Sequence, residues 1–275
     1  MTTIEVDMMA RRIPLEGTYN VRDIGGYLTG DGRVVARQRV LRGDALHRVD
    51  DEGRELLAQM TLRTSIDLRE GDERSEAPDR LNPDVELISI PLFTYQLATA
   101  DEQTDRGQFS TLDEVYRFIV SYRGSALAEV LRQLARPQSL PAVVHCTGGK
   151  DRTGIVIAML LSILGVPDDV IARDYHATSL FLTAEFHETI LARAEESGHD
   201  RQAYAVMLGC EPYLILDVLE AVRSSHGDVE HYLMEHGLGA EEIERLRANL
   251  LEGESLEAPL LNVVGSDAPE GEVHD

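Results

Sequence analysis

Val143-Val144-His145-Cys146-Thr147-Gly148-Gly149-Lys150-Asp151-Arg152-Thr153-Gly154 is the stretch on which the reading of this chain turns. Upstream, Ala142-Val143-Val144 is a short apolar run suited to a buried strand. Downstream, Ile155 to Leu164 is apolar nearly all round, as in a buried helix, and is ended by Gly165 and then Pro167. Residues 146 to 151 therefore form a loop from the C-terminal end of a strand to the N-terminus of a helix, with Cys146 and Arg152 in a C-x5-R spacing. Such a loop turns successive backbone N–H groups toward one point. It makes an anion nest reinforced by the helix dipole, and Gly148 and Gly149 permit the backbone angles the ring requires.

A thiolate is favoured beside Arg and Lys at a helix N-terminus, so Cys146 is the expected nucleophile. The planar fork of Arg152 suits two non-bridging phosphate oxygens, holding phosphorus in line and stabilising charge as the equatorial oxygens rearrange. Thr147, Gly148, Gly149, Lys150, Arg152 and Thr153 are the expected phosphate-binding set. The Thr153 hydroxyl is expected to donate to the sulfur and ease its departure, and His145 to orient the Cys146 backbone. Each feature alone has a plain structural explanation, since a cysteine at a strand end is usually a small buried hydrophobe. Their coincidence points to catalysis. A Walker nucleotide loop fails on specifics: its first glycine position holds Val144, and Asp151 stands where Ser or Thr is required. Cys210 has no comparable surroundings and reads as packing.

These residues resemble the protein tyrosine phosphatase superfamily, in particular its bacterial branch whose loop reads H-C-x-x-G-K-D-R-T-G. Asn20-Val21-Arg22-Asp23-Ile24-Gly25-Gly26, Leu41-Arg42-Gly43-Asp44-Ala45-Leu46 and Asp67-Leu68-Arg69 resemble further blocks of that branch, and the likeness runs from about Tyr19 to Leu250. It implies an α/β fold with a central, mainly parallel sheet flanked by helices. It also implies hydrolysis through a phosphocysteine, no metal and no cofactor. Phosphotyrosine protein or a small phosphomonoester is the implied substrate, inorganic phosphate the product, and phosphoserine, phosphothreonine or phosphoinositides are accepted by some members. Lys150 adds a cation that would fit a second phosphate on an inositol lipid. The Arg42-Gly43-Asp44 tripeptide lies inside one of the family blocks, so an adhesion reading is set aside.

The leaving oxygen needs a proton from a carboxylic acid. The branch carries an aspartate after a Pro-Phe-Pro segment, but here Pro91-Leu92-Phe93-Thr94 puts Thr94 at that place. Asp151, inside the loop, is the preferred acid by analogy with related loops, and Asp101 and Asp105 are the reserve. A loop-bracing ion pair is the competing role for Asp151. Arg22, Asp23, Asp67 and Arg69 either border the pocket or brace it as buried ion pairs.

Farther out, 275 residues suffice for a sizeable core, and 26 Lys+Arg against 49 Asp+Glu give a formal charge of −23. That field disfavours nucleic acid and anionic lipid surfaces. No apolar run approaches a membrane span, the N-terminus has no secretory pattern, and two distant cysteines suit a reducing compartment, so cytoplasmic residence is expected. His226, His231 and His236, five apart, fall on different helix faces and make a poor metal set. One domain over 1–252 and an acidic, disordered tail over 253–275 are expected. An N-terminal β arm spans 19–46, with Asp31-Gly32 turning between Tyr27-Leu28 and Val34-Val35. A helix over 50–60, strands over 64–68 and 85–92, a loop or lid over 94–110 and a helix over 112–135 follow. Two other functions compete with the phosphatase: a catalytically weak phosphate-binding module, and a sulfur transferase or arsenate reductase, for which no resolving cysteine lies nearby in sequence.

Overall fold

The computed structural model describes residues 8–92, 111–196 and 200–254. Its strands are β1 (Arg22–Asp23), β2 (Val34–Val35), β3 (Val40–Gly43), β4 (Thr64–Asp67), β5 (Glu86–Ser89), β6 (Ala142–His145) and β7 (Leu251–Glu252). Five form one sheet in the order β1-β3-β6-β4-β5, in which only β1 runs antiparallel to its neighbour. β6 is central, with Ala142 opposite both Val40 and Thr64, and all four of its residues are buried. An apolar run covered on both faces is what a parallel sheet demands. The expected fold class is thus observed, with one refinement at the N-terminal arm. Its hairpin contact exists, Leu28 bridging Val34, but β1 and β3 belong to the main sheet and β2 pairs with β7.

The helices are α1 (Asp51–Gln59), α2 (Gly71–Glu76), α3 (Leu112–Tyr122), α4 (Gly124–Ala135), α5 (Asp151–Ile163), α6 (Asp168–His176), α7 (Thr178–Phe181), α8 (Ala184–Glu196), α9 (Arg201–Val206), α10 (Pro212–His226), α11 (Val229–Glu235) and α12 (Ala240–Leu250). Residues 153–161 of α5 are buried without a break, as its all-round apolarity implies. The helix expected over 112–135 is two helices, interrupted at Arg123. At the break, a Cβ on Gly124 would lie 2.2 Å from the His236 ring, so this close approach of α4 to distant chain requires glycine. The strand expected over 85–92 is regular at Glu86–Ser89, and the amides of Ile90 and Leu92 still donate to Asp67 O (3.0 Å) and Leu68 O (3.3 Å) beyond it. The expected lid lies outside the described residues, as does the tail beyond Glu254.

Candidate active site

β6 delivers Cys146 to the C-terminal edge of the sheet, and the loop rises from there into α5. The loop's carbonyls are each held from the outside or by the helix. Thr147 O accepts from the Ala45 amide (3.2 Å), Lys150 O from Gly154 (2.8 Å), and Gly148 O from Asn20 Nδ2 (3.0 Å). Gly149 O accepts from Asn20 Nδ2 (3.1 Å) and from Arg42 (2.8 Å). In a trans peptide the N–H points opposite the C=O, so carbonyls drawn outward leave amides directed toward the loop's interior. Gly149 has φ +64°, and a Cβ there would lie 2.4 Å from the Gly43 carbonyl, so the turn requires glycine.

Cys146, 3% exposed, lies in the floor of a cavity of about 590 Å³ that Arg152 also lines. Arg152 is gripped by a residue that sequence reading missed. Glu73 meets its two terminal nitrogens at 2.6 and 2.9 Å, and the Thr147 hydroxyl donates to the same carboxylate. Burial alone would raise the Glu73 carboxyl, but the Arg152 and Thr147 hydrogen bonds outweigh it and lower it to about 2. Burial likewise opposes the Arg152 cation, yet Glu73 and the charges of Cys146 and Asp151 hold it above its ordinary value. Glu70, three residues earlier and on the same cavity wall, goes the other way. Burial is the main cause of its raised pKa, Arg152 opposes and Glu73 adds to it, and Glu70 Oε1 is enclosed with no hydrogen-bond partner.

The other loop residues fall into place differently from one another. Lys150, 4% exposed, directs its ammonium at the carbonyls of Met207 (2.7 Å) and Gly209 (2.8 Å) and lies 3.3 Å from Asp151 Oδ1. Asp151 faces the cavity and accepts a hydrogen bond from Tyr116 (2.6 Å), whose hydroxyl also meets that of Tyr175 (2.6 Å). Burial, then the Asp151 charge, push the Tyr116 phenol well up, so it stays a donor. The expected hydrogen bond from Thr153 to the sulfur is not formed: Thr153 Oγ1 is fully enclosed and unpartnered. Above the floor the walls are apolar, with Leu112, Val115 and Ile119 of α3 on one wall and Leu182, Phe186 and Ile190 on another. Thr94, Asp101 and Asp105 lie outside the described residues.

Arg22, Asp23, Asp67 and Arg69 brace the site and do not line the cavity. Arg22 and Arg42, both fully buried, pair with Asp174, which also accepts from Tyr27 (3.0 Å). Burial disfavours the Asp174 charge, but Arg42 and Arg22 prevail and lower it to about 2. Asp23 accepts from the amides of Gly25 (2.8 Å) and Gln38 (2.9 Å). Arg69 bridges Asp67 (2.7 Å) and Asp79 (2.8 Å), and buried His145 reaches Asp79 at 2.9 Å, so it props the strand end from behind the cysteine. Among the described residues, Asp67, Asp79 and His145 form the one cluster of metal-ligating type, and Arg69 is ion-paired with both carboxylates. His226 and His231 both pair with Glu235. Cys210 is buried, its thiol donating to Tyr175 O (3.2 Å), as packing requires.

A cysteine at the start of this loop, with an arginine at the helix start beside it, is the arrangement expected of a phosphate-handling site of the cysteine phosphatase type. The model of the tyrosine phosphatase family matches residues 13–252, so the chain belongs to that family and is a phosphatase. It is 29% identical over 224 residues to the tyrosine-protein phosphatase of Nostoc commune, covering 74% of this chain and 71% of that one. It is 25% identical over 285 residues to the triple specificity protein phosphatase PtpB of Mycobacterium tuberculosis, covering 89% of this chain and all of the other. A crystal structure of Pseudomonas aeruginosa TpbA aligns over 70% of this chain and 96% of its own, at 16% identity and a TM-score of 0.36. Among the described residues no helix is long and apolar enough to cross a membrane.

Proposed function

We propose that this phosphatase hydrolyses aryl phosphomonoesters, phosphotyrosine in proteins first among them, through a cysteinyl-phosphate on Cys146. The observation that carries the reading is a phosphate-sized loop at the floor of an apolar-walled cavity of about 590 Å³, deep enough to bury an aromatic ring before phosphorus meets the sulfur. Sγ of Cys146 attacks phosphorus, the P–O ester bond breaks, and the leaving oxygen takes a proton from Asp151. Water then attacks phosphorus, Asp151 recovers a proton from it, the S–P bond breaks, and inorganic phosphate departs with the thiolate restored. Arg152 and the loop amides hold the equatorial oxygens throughout.

The wall argues for one phosphate rather than several. Two hydrogen bonds and an ion pair already engage Lys150, Arg152 is shared with Glu73, and Glu70, Asp72 and Asp151 add negative charge to the lining. A polyphosphorylated inositol would meet more carboxylates than free cations. Short phosphoserine and phosphothreonine side chains would leave the apolar walls partly unfilled, so they are slower substrates than phosphotyrosine.

The test is turnover of para-nitrophenyl phosphate in the presence of a chelator, followed by aryl phosphates of rising leaving-group pKa. Wild type turns over, and Asp151→Asn loses about 10²- to 10⁴-fold, most with the poorest leaving groups. Tight phosphopeptide binding without turnover would instead select the phosphate-binding module. A second proton donor is favoured by one observation, the raised carboxyl of Glu70 with its Oε1 enclosed and without a partner. If Glu70→Gln rather than Asp151→Asn carries the leaving-group dependence, the proton comes from Glu70.

A further inference from the structure

We propose that Lys150 is a specificity-determining strut, fixing the Met207–Leu208 wall of the cavity to the phosphate loop and so selecting esters with a bulky aryl group. The inference rests on the aryl phosphatase reading and assigns its selectivity. A lysine inside a phosphate loop is ordinarily taken as a phosphate contact. Here its ammonium has three donors, and three acceptors surround it: Met207 O at 2.7 Å, Gly209 O at 2.8 Å and Asp151 Oδ1 at 3.3 Å. Its side chain is 5% exposed, so water does not compete for those partners. Turning the ammonium toward a substrate would strip two backbone carbonyls beyond the end of α9, where no further helical N–H exists to replace it.

Those carbonyls belong to the segment whose Met207 and Leu208 side chains line the cavity. Lys150 therefore ties phosphate loop and apolar wall into one unit. Asp151 makes the matching tie on the other side, since the Tyr116 hydroxyl it accepts comes from α3, the helix that presents Leu112, Val115 and Ile119 to the cavity. Two adjacent residues thus set the distance between the walls, and the Lys150–Asp151 pair joins the two ties. Without Lys150 the loop amides and Arg152 still hold the phosphate, while the ring of an aryl ester loses a fixed surface to pack on.

The experiment compares Lys150→Met with wild type on para-nitrophenyl phosphate and on trifluoroethyl phosphate, a small alkyl monoester, and measures inhibition by inorganic phosphate. The ratio of kcat/KM for the aryl over the small ester falls about tenfold, the value of a few lost apolar contacts, and the phosphate inhibition constant moves by less than about twofold. An equal loss on both esters, or a phosphate inhibition constant weakened by about tenfold or more as for a lost charged hydrogen bond, would overturn the proposal. Leu208→Ala, which leaves the loop intact, serves if Lys150→Met does not fold: it must reproduce the selective fall, and an unchanged ratio overturns the strut. Where both fold, the double variant falls scarcely below either single one, because the two changes remove the same wall. A wild type inert toward both esters removes the aryl phosphatase reading itself. Turnover with an unselective loss removes only the role of Lys150.

Discussion

The floor of the cavity and its walls are held in opposite ways. Beneath the loop, Arg22, Arg42 and Asp174 are sealed from water with Tyr27, and Asp67, Arg69, Asp79 and His145 form a second closed set behind the cysteine. In the walls, apolar side chains from α3 and α8 line the cavity, and Oε1 of Glu70 is left without a partner. A floor of paired buried charges fixes where the loop's amides converge, because removing any member leaves another's charge unpaired in a medium that cannot solvate it. A wall of dispersion contacts can change composition without that penalty. On the proposed mechanism the contrast separates chemistry from selection, with reactivity in the floor and the choice of ester in the walls.

The comparison breaks most sharply at Asp174. Asp174→Asn leaves two buried guanidinium groups without their counter-charge and is expected to destabilise the protein by about 3–5 kcal/mol, read by chemical denaturation. A loss below about 1 kcal/mol would mean that the floor is not held by charge.

Acid sharpens the same point. Asp174 and Glu73 are both held near about 2 in the folded protein, below their ordinary values of 3.8 and 4.5. Groups depressed in this way stabilise the fold fully above their unfolded pKa, and the stabilisation is lost as pH falls through the folded value. For Asp174 that amounts to about 2 kcal/mol at neutral pH. Stability followed by circular dichroism is therefore expected to fall between about pH 4.5 and pH 2, and Glu73→Gln to flatten that fall. An unchanged slope in the variant would detach Glu73 from Arg152.

The smallest effect is expected in the wall. Phe186, whose ring would stand 3.2 Å from a Cβ on Gly148 and packs edge-on against Tyr19, lies beside the loop. Phe186→Ala raises KM for para-nitrophenyl phosphate about tenfold and leaves inhibition by phosphate unchanged. Weaker phosphate binding would move Phe186 from wall to floor.

What could be read from the sequence follows the same division. The loop was legible because its chemistry is contiguous: strand, His145-Cys146, paired glycines, Arg152 and an apolar helix occur within one short segment. Individual strands followed from apolar runs, and their assembly into a mainly parallel sheet from the family resemblance. Glu73 was not legible, since one carboxylate in a chain with 49 Asp+Glu carries no local mark of the arginine it will meet. Nor were the partners of Lys150, because they are backbone carbonyls and any residues at 207 and 209 would supply them. The break at Arg123 is marked in the sequence only by Gly124, and the His236 ring that crowds that glycine lies more than a hundred positions away. Arg22 and Arg69 read equally well as pocket or brace until Asp174 and Asp79 were placed beside them.

On the proposed mechanism the sulfur of Cys146 takes the phosphoryl group before water does. Wild-type protein mixed with a saturating aryl phosphate, quenched in acid within a turnover and digested, is expected to carry one phosphoryl group on the peptide containing Cys146, and Cys146→Ser none. Phosphate found on another residue, or turnover that persists in Cys146→Ser, would contradict it.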